Sequence, residues 1–212
     1  MALGSFELGP SATNHPAMSF NPSLSAARIV ILSGPSGAGK TTVVRELLRS
    51  SPVPLELSVS ATTRSPRSGE LDGREYHFLS HAEFARRRAA GEFLECKEVF
   101  GRGDWYGTLR SAVTSGLEQG KWVLLEIDVE GAMAVRDQFP DCVMIFLHPG
   151  SLAELERRLR GRGTDSEDSI RRRLEVASGE LARAAEYRYQ VVNETPAQAV
   201  SEIRAILARI SG

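Results

Sequence analysis

Residues 34–41 read Gly34-Pro35-Ser36-Gly37-Ala38-Gly39-Lys40-Thr41, and we work outward from this loop. It matches the pattern G-x-x-x-x-G-K-[ST] at every fixed position. A β-branched run (residues 29–32) precedes it, and residues 41–49 carry apolar side chains at helical spacing. This order of strand, glycine-rich loop and helix is the context in which the pattern binds nucleotide phosphates. The loop therefore predicts a parallel α/β fold with a nucleotide site, and a turn that only connects strand to helix is disfavoured.

Each fixed residue of the phosphate loop, as we call residues 34–41, has a chemical task. The glycines let successive backbone N–H groups point inward without a Cβ in the way. Lys40 neutralises charge on the β- and γ-phosphates of ATP, and the Thr41 hydroxyl can ligate Mg²⁺. The expected ATP-binding residues are Gly34, Pro35, Ser36, Gly37, Ala38, Gly39, Lys40, Thr41 and Thr42, with Thr41 as the metal ligand and Lys40 as a catalytic residue.

Further buried strands are predicted at residues 122–128, 142–147 and 189–193, where apolar runs are separated by helical stretches. Such alternation is typical of a parallel sheet flanked by helices. Two segments break the rhythm. Residues 57–110 hold short alternating pieces and many turn residues, which predicts a small mixed-β insertion. Residues 151–185 predict two helices joined by Gly161-Arg162-Gly163, opening with the capping boxes Ser151-x-x-Glu154 and Thr164-x-x-Glu167.

This pattern divides the chain into four parts. Residues 1–27 are rich in Ser, Pro, Gly and Asn and are expected to form a flexible leader. We expect three segments to form the core, one segment to form the insertion and one to form a helical lid. The predicted core comprises residues 28–56, 111–150 and 186–212, the insertion 57–110 and the lid 151–185.

The composition of the 212-residue chain is that of a globular protein, with 42% hydrophobic and 25% charged residues. The net charge of −1 provides no global field for nucleic acid or an anionic membrane. No apolar run is long enough to span a bilayer, and residues 1–27 lack the pattern of a signal peptide. Two cysteines, Cys96 and Cys142, are expected to be reduced thiols. We therefore expect a cytoplasmic protein with neither a nucleic-acid nor a membrane partner, and leave homo-oligomerisation open.

The segment from Ser58 to Glu70, which includes Thr62-Thr63-Arg64-Ser65-Pro66-Arg67, resembles the signature of guanylate kinases. Further matching pieces follow in the same order along the chain. They are Gly73-Arg74-Glu75-Tyr76-His77-Phe78, Phe93-Leu94-Glu95, Tyr106-Gly107-Thr108, Ile127-Asp128-x-x-Gly131 and Gly161-Arg162-Gly163-Thr164. The resemblance runs from about Val30 to the C-terminus, and it implies a core, a GMP-binding insertion and a mobile lid.

By this resemblance, Arg64, Arg67, Tyr76 and Tyr106 hold the phosphate of GMP. The chemistry agrees, because guanidinium forks and phenol hydroxyls match the oxygens of a doubly charged monophosphate. A solvated basic turn is the alternative explanation of the two arginines, and the motifs that follow them disfavour it.

Glu95 selects the base by resemblance, because one carboxylate can accept hydrogen bonds from both N1–H and N2–H₂ of guanine. Adenine would leave such a carboxylate unpaired, and unsatisfied polar groups discriminate strongly. Ser60, Thr108 and Asp128 would complete the guanine pocket. Glu126 and Asp128 also end an apolar strand, where acidic residues support the Mg²⁺ shell of phosphate-loop enzymes; of the two, Asp128 is the safer assignment.

Arg162 and Arg173 match the catalytic lid arginines of the family, which would neutralise charge in the transition state and exclude water. Neighbouring arginines at 157, 158, 160, 171 and 172 cannot all face the site, because consecutive helical residues point about 100° apart. We expect most of them on a solvated face. Asn193 resembles the family position near the adenine ring of ATP, although an asparagine after a strand is usually a turn residue. The loop 101–105 is about two residues longer than the commonest family form, which leaves the partner of Tyr106 open.

The implied function is guanylate kinase activity, in which a GMP phosphate oxygen attacks the γ-phosphoryl group of MgATP in line. The acceptor oxygen is already an anion, so catalysis needs positioning and charge stabilisation rather than a general base. Two alternatives stay open from the sequence. One is a noncatalytic guanylate kinase-like interaction module, and the other is a related kinase acting on a ribose phosphate.

Overall fold

The structure is a computed structural model that describes residues 28–99, 103–161, 163 and 166–212. Arg162 and the expected leader, residues 1–27, lie outside the described residues. In chain order the elements are β1 (Ile29–Ser33), α1 (Lys40–Ser50), β2 (Leu55–Leu57), β3 (Ala61–Thr62), β4 (His77–Phe78), α2 (His81–Ala89), β5 (Phe93–Val99), β6 (Asp104–Leu109), α3 (Arg110–Glu118), β7 (Trp122–Glu126), α4 (Val129–Gln138), β8 (Val143–His148), α5 (Leu152–Gly161), α6 (Glu167–Ala182), β9 (Tyr189–Val192) and α7 (Pro196–Ser211).

The core is a parallel five-stranded sheet in the order β2-β7-β1-β8-β9, which confirms the predicted α/β class. All five residues of β1 are buried, because apolar clusters cover both faces of the sheet. One cluster joins the sheet to α1 and α7, and the other joins it to α3 and α4. The carboxyl ends of the strands therefore meet at one edge, where the loops that follow them can form a site.

The strands predicted from the apolar runs are present, but their ends differ by one or two residues. The predicted strand 122–128 ends at Glu126, because the Asp128 side chain accepts a hydrogen bond from Gly131 N–H and caps α4 instead. The predicted strands 142–147 and 189–193 are Val143–His148 and Tyr189–Val192. Apolar runs mark the buried part of a strand but not the residue at which the chain leaves the sheet.

A second sheet, in the order β4-β3-β6-β5, lies within the predicted insertion. It is mixed, since β3 pairs with β4 in parallel and with β6 antiparallel. Leu57 was expected to open this insertion, but that prediction is wrong. It ends β2 of the core sheet, where it pairs with Leu124.

The predicted pair of helices is present as α5 and α6. The Ser151 hydroxyl accepts from Glu154 N–H at the start of α5, as its capping box predicts. The second capping box is wrong, because Ser166 caps α6 by accepting from Ser169 N–H, which makes Glu167 the first residue of the helix. Within the described ranges, no helix is both long and apolar enough to cross a membrane.

Candidate active site

The phosphate loop follows the central strand β1 and includes the first two residues of α1, Lys40 and Thr41. Gly37 and Gly39 have φ angles of 102° and 92°, which only glycine adopts at low cost. Between them Ala38 is fully buried, and its N–H donates to Pro35 O over 3.0 Å. The loop is thus a tight backbone turn at the positive end of α1, the geometry that an anion site needs.

Lys40 folds back over the phosphate loop. Its Nζ donates to Gly34 O over 2.6 Å and to Pro35 O over 3.3 Å. Burial lowers the pKa of Lys40, and the carboxylates of Glu126, Glu180 and Asp128 offset part of this effect. The amine is therefore a desolvated cation whose only bonded partners in the loop are neutral carbonyls, and it would gain from an approaching phosphate.

Asn193 directly follows β9 and supports the phosphate loop by a hydrogen bond. Its Nδ2 donates to Ala38 O over 2.7 Å, and the residue is 2% exposed. Arg158 of α5 in turn donates to Asn193 O over 2.7 Å. The resemblance implied that Asn193 lies near the adenine ring of ATP. In the structure Asn193 connects the phosphate loop to α5, the first helix of the lid. A contact of Asn193 with ATP stays a prediction.

Thr41 faces the end of the neighbouring strand β7. Its Oγ1 donates to Glu126 Oε1 over 3.1 Å, so a hydroxyl and a carboxylate lie side by side at the mouth of the phosphate loop. Hard oxygen donors of this kind suit Mg²⁺. Among the described residues no group of three or more His, Cys, Asp or Glu side chains could hold a metal ion, so the phosphates of ATP would have to supply further ligands.

Arg64 is held by three partners in the loop after β3. It donates to Tyr106 Oη over 3.2 Å, to Ser65 O over 2.6 Å and to Glu70 Oε1 over 3.0 Å. The other oxygen of Glu70 accepts from Arg67 N–H over 2.7 Å, which is the largest cause of the lowered pKa of this carboxyl group. One carboxylate therefore fixes both arginine segments.

Two tyrosines form the wall beside this arginine. The rings of Tyr76 and Tyr106 meet edge to face with centroids 5.7 Å apart, and the Arg64 guanidinium lies 5.5 Å from the Tyr76 ring centroid. Burial raises the pKa of Tyr76, so its hydroxyl is a neutral hydrogen-bond donor at physiological pH. All four residues predicted to hold a monophosphate are thus neighbours; Tyr106 lies beside Arg64, which answers the question that the longer loop left open.

Glu95 lies on β5 opposite Thr108 of β6. The Thr108 hydroxyl donates to Glu95 Oε1 over 2.6 Å, and burial is the largest cause of the raised pKa of Glu95. The carboxylate also lies against the start of α4, where a Cβ added to Gly131 would come within 2.9 Å of Glu95 Oε2. Asp128 caps the same helix start, so the structure brings Glu95, Thr108 and Asp128 together.

Ser60 directly precedes β3, and its carbonyl accepts from His77 N–H over 2.9 Å. The predicted base-site residues thus lie on the small sheet and on the turn between β7 and α4.

Of the two predicted lid arginines, only Arg173 can be described. Its Nη2 donates to Ser36 Oγ of the phosphate loop over 2.8 Å. Arg157, Arg160 and Arg171 form ion pairs with acidic neighbours on exposed faces, as expected for most of the lid arginines. Arg172, one of the arginines of which most were expected on a solvated face, is exposed and lines the same cleft as Arg173.

A cleft of about 940 Å³ lies between the phosphate loop, the loop after β3 and α6. One wall is the phosphate loop with Glu126, a second carries Arg67 and Tyr76, and α6 forms a third. The residues that line it are Ser36, Gly37, Gly39, Lys40, Thr41, Thr42, Arg67, Tyr76, Glu126, Ser169, Arg172, Arg173, Glu175 and Val176. The arrangement can hold two anionic phosphate groups face to face between cations.

Sequence reasoning assigned no individual role to three residues at the site. Glu70 follows the two arginines by a few positions, and a carboxylate so close to a basic pair was a usable signal. Arg172 could not be told from its arginine neighbours. Lys97, which bridges Asp128 and Glu130, carries no motif, since its partners are about 30 residues away along the chain.

Comparison with known proteins finds relatives of a single family. The family model described as guanylate kinase matches residues 26–210. A guanylate kinase of Rhodopirellula baltica is 59% identical over 182 residues, which is 85% of this chain and 87% of the relative. One of Trichormus variabilis is 46% identical over 88% of this chain and 92% of the relative. A crystal structure of guanylate kinase from Anaplasma phagocytophilum has a TM-score of 0.72 and 34% identity, covering 88% of this chain and 87% of that one.

Proposed function

The chain belongs to the guanylate kinase family, and on that premise we propose that it transfers the γ-phosphoryl group of ATP to GMP, giving GDP and ADP. The observation that carries this proposal is the cleft in which the phosphate loop faces Arg67 and Tyr76. Two anion sites on opposite walls of one cleft are what a phosphoryl transfer between two nucleotides requires.

We assign the residues to the two substrates as follows. Residues 34–42 hold the phosphates of ATP. The acceptor site, as we call it, binds the phosphate of GMP through Arg64, Arg67, Tyr76 and Tyr106, and its guanine through Ser60, Glu95, Thr108 and Asp128. The pairing of Arg64 with Tyr106 and of Glu95 with Thr108 supports this assignment.

The transfer itself needs no base, because an oxygen of GMP is already ionised at neutral pH. Lys40 and Arg173 would stabilise the charge on the transferred group, and Arg162 is assigned the same task by resemblance alone. Mg²⁺ bound to ATP neutralises phosphate charge, and the Thr41 hydroxyl beside Glu126 would hold it. Closing of α5 and α6 over the cleft would exclude water, which otherwise competes as acceptor.

The domain division that goes with this function is also a proposal. The core comprises residues 28–57, 111–150 and 186–212, the acceptor domain 58–110 and the lid 151–185. The boundary between the core and the acceptor domain lies one residue later than the sequence pattern predicted, because Leu57 pairs with Leu124 of the core sheet.

A coupled assay of ADP release with GMP, AMP, dTMP and CMP tests the function. We expect turnover with GMP to exceed that with AMP by about 10²-fold or more, since Glu95 would face adenine unpaired. Higher rates with AMP or dTMP would contradict the proposal. Binding of MgATP, measured by calorimetry, separates the enzyme from a noncatalytic interaction module, which would show none.

The substitution Glu95→Gln tests the guanine contact. An amide cannot accept two hydrogen bonds side by side from guanine, so we expect KM for GMP to rise about 10²-fold and KM for ATP to stay within about twofold. Glu98→Gln on the exposed face of the same strand is the control. Unchanged kinetics with GMP would favour a kinase that acts on a ribose phosphate.

A further inference from the structure

Lys97 connects the small sheet to the core next to the acceptor site. It lies on β5 two residues after Glu95, so both side chains project from the same face of the strand. Its Nζ lies 3.2 Å from Asp128 Oδ2 and 2.6 Å from Glu130 Oε2. Asp128 caps α4 and Glu130 lies in the first turn of that helix, so this ion bridge spans the two parts of the chain that would contact guanine.

The bridge completes the set of contacts that orient Asp128. Asp128 Oδ1 accepts from Gly131 N–H over 2.8 Å, which leaves Oδ2 to pair with Lys97. A carboxylate with one contact can rotate, whereas one held at both oxygens presents a single orientation. Without Lys97, Oδ2 would have the Glu130 carboxylate as a neighbour and would be repelled from it.

The surroundings of the bridge are strongly acidic. Three carboxylates, Glu95, Asp128 and Glu130, come from β5 and from the start of α4, and a fourth, Glu180, approaches from α6. A recess of about 450 Å³ beside β5 is lined by Glu95, Lys97, Glu130 and Arg88 of α2. The charged and titratable groups around Glu95 are therefore Arg88, Cys96, Lys97, Asp128 and Glu130, and Glu180 acts on Asp128, Lys97 and Glu130 from α6.

We propose that Lys97 is a positioning residue for guanine recognition, which holds Asp128 in one orientation beside Glu95. The proposal rests on the proposed function, since it requires guanine at this site. Lys97 acts through Asp128 on the two carboxylates, which accept the N–H donors of the base most strongly when they are charged and correctly oriented.

The electrostatics of Glu95 agree with this role. Burial is the largest cause of its raised pKa, the charge of Asp128 raises it further, and the charge of Lys97 lowers it. Removal of Lys97 would therefore raise the pKa of Glu95 again. As the pH falls, the carboxylate would protonate earlier, and GMP affinity would be lost at a higher pH than in the native protein.

A purely structural role for Lys97 predicts a different result. The Lys97 and Asp128 side chains are 42% and 35% exposed, and ion pairs at such exposure contribute little to folding. We therefore expect the unfolding midpoint of Lys97→Met to fall by less than about 4 °C. Its effect on GMP should be much larger than its effect on stability.

The test uses steady-state kinetics of the full chain as a function of pH. For Lys97→Met we expect KM for GMP to rise about tenfold, with kcat and KM for ATP within about twofold. The acid limb of kcat/KM for GMP should move to higher pH, because the charge of Lys97 lowers the pKa of Glu95. Lys97→Arg should restore both, because it keeps the charge. Lys121→Met is the matched control, since Lys121 forms a comparably exposed ion pair with Glu56 far from the site.

Four outcomes would overturn the proposal. They are a KM for GMP within twofold of the native value in Lys97→Met, an unmoved acid limb, an arginine variant that behaves like the methionine one, and equal losses with Lys121→Met. A double-mutant cycle with Asp128→Asn adds a further check, because removing Lys97 should matter little once Asp128 is neutral. A native protein that turns over ATP but not GMP would instead refute the proposed function itself, and this inference with it.

Discussion

The phosphate loop and the acceptor site, which we propose bind the same chemical group, are built in opposite ways. The phosphate loop is eight consecutive residues whose backbone forms the site, and buried groups from other elements hold it in place. The acceptor site is a set of side chains from β5, β6, the loop after β3 and the turn after β7. Its members are fixed to one another by hydrogen bonds and ion pairs, as Arg64 is by Glu70 and Tyr106.

This difference determines how each site should fail. The backbone of the phosphate loop, at the end of the central strand, cannot change shape without disturbing the fold. A substitution there should therefore lower the stability of the protein. Side chains held by polar contacts near the surface can shift with little cost in folding energy. Damage to the acceptor site should therefore appear as a loss of affinity for GMP in a stable protein.

Gly39→Ala should have the largest effect. The φ angle of 92° is strained for alanine, and the new Cβ would lie 2.5 Å from Asn193 Nδ2, which is buried and bonded to Ala38 O. Strain of about 1–2 kcal/mol adds to the loss of a buried hydrogen bond at about 1–3 kcal/mol. We expect the free energy of unfolding to fall by about 2–5 kcal/mol, measured by denaturant titration.

Gly120→Ala separates the two contributions. Gly120 has a φ angle of 73°, and no heavy atom lies within 4 Å of a Cβ built there. It should show the backbone strain without the clash. An equal loss of unfolding free energy in the two variants would mean that Asn193 does not support the phosphate loop. The loop would then not be the rigid site that the comparison requires.

Contiguity also explains what the sequence could predict. The phosphate loop, β1 and α1 are encoded by about 20 adjacent residues, so local pattern was sufficient. The acceptor residues needed the family resemblance, because Arg64 and Tyr106 meet only through the pairing of β3 with β6. Leu57 was assigned to the insertion because alternation does not reveal which sheet a strand joins.

Other features depended on long-range contacts that leave no local signal. Asn193 reads as a turn residue, and its bond to Ala38 spans 155 positions. Lys97 reads as an ordinary charge on a strand until β5 is placed beside the start of α4. The start of α6 was misassigned for a local reason, since both Thr164 and Ser166 are good capping residues and Ser166 is the one that caps.

Glu70→Gln should have an intermediate effect, confined to GMP. The amide oxygen can replace one of the two accepting oxygens, so either Arg64 or the Arg67 backbone loses its partner. Loss of the Glu70 charge also removes a repulsion on the incoming phosphate, which opposes the first effect. The lost hydrogen bond to a charged group is worth about 1.5–3 kcal/mol. The repulsion between Glu70 and the phosphate is screened by salt and is worth less than about 1 kcal/mol. Loss of the hydrogen bond should therefore have the larger effect on GMP binding. We expect KM for GMP to rise about tenfold.

Glu83→Gln is the matched control for Glu70. Glu83 also binds two arginines, Arg86 and Arg87, but both lie one turn later in the same helix, α2. Its loss should leave both Michaelis constants within about twofold, because exposed ion pairs contribute little. A KM for GMP that falls in Glu70→Gln would show that charge repulsion outweighs positioning, and would reverse our account of this carboxylate.

Gly131→Ala should give the smallest effect and the sharpest contrast with Gly39. Gly131 lies in the first turn of α4 without a positive φ, so alanine there should gain about 0.5–1 kcal/mol of helix stability. Its Cβ would lie 2.9 Å from Glu95 Oε2, the free end of a side chain that can move. We expect an unfolding midpoint that is unchanged or higher, together with a KM for GMP raised about fivefold because Glu95 is displaced. Gly179→Ala in α6, where a Cβ meets no atom within 4 Å, should stabilise the protein without changing KM. If Gly131→Ala gains stability and keeps its GMP affinity, Glu95 tolerates displacement and the acceptor site does not depend on fine positioning.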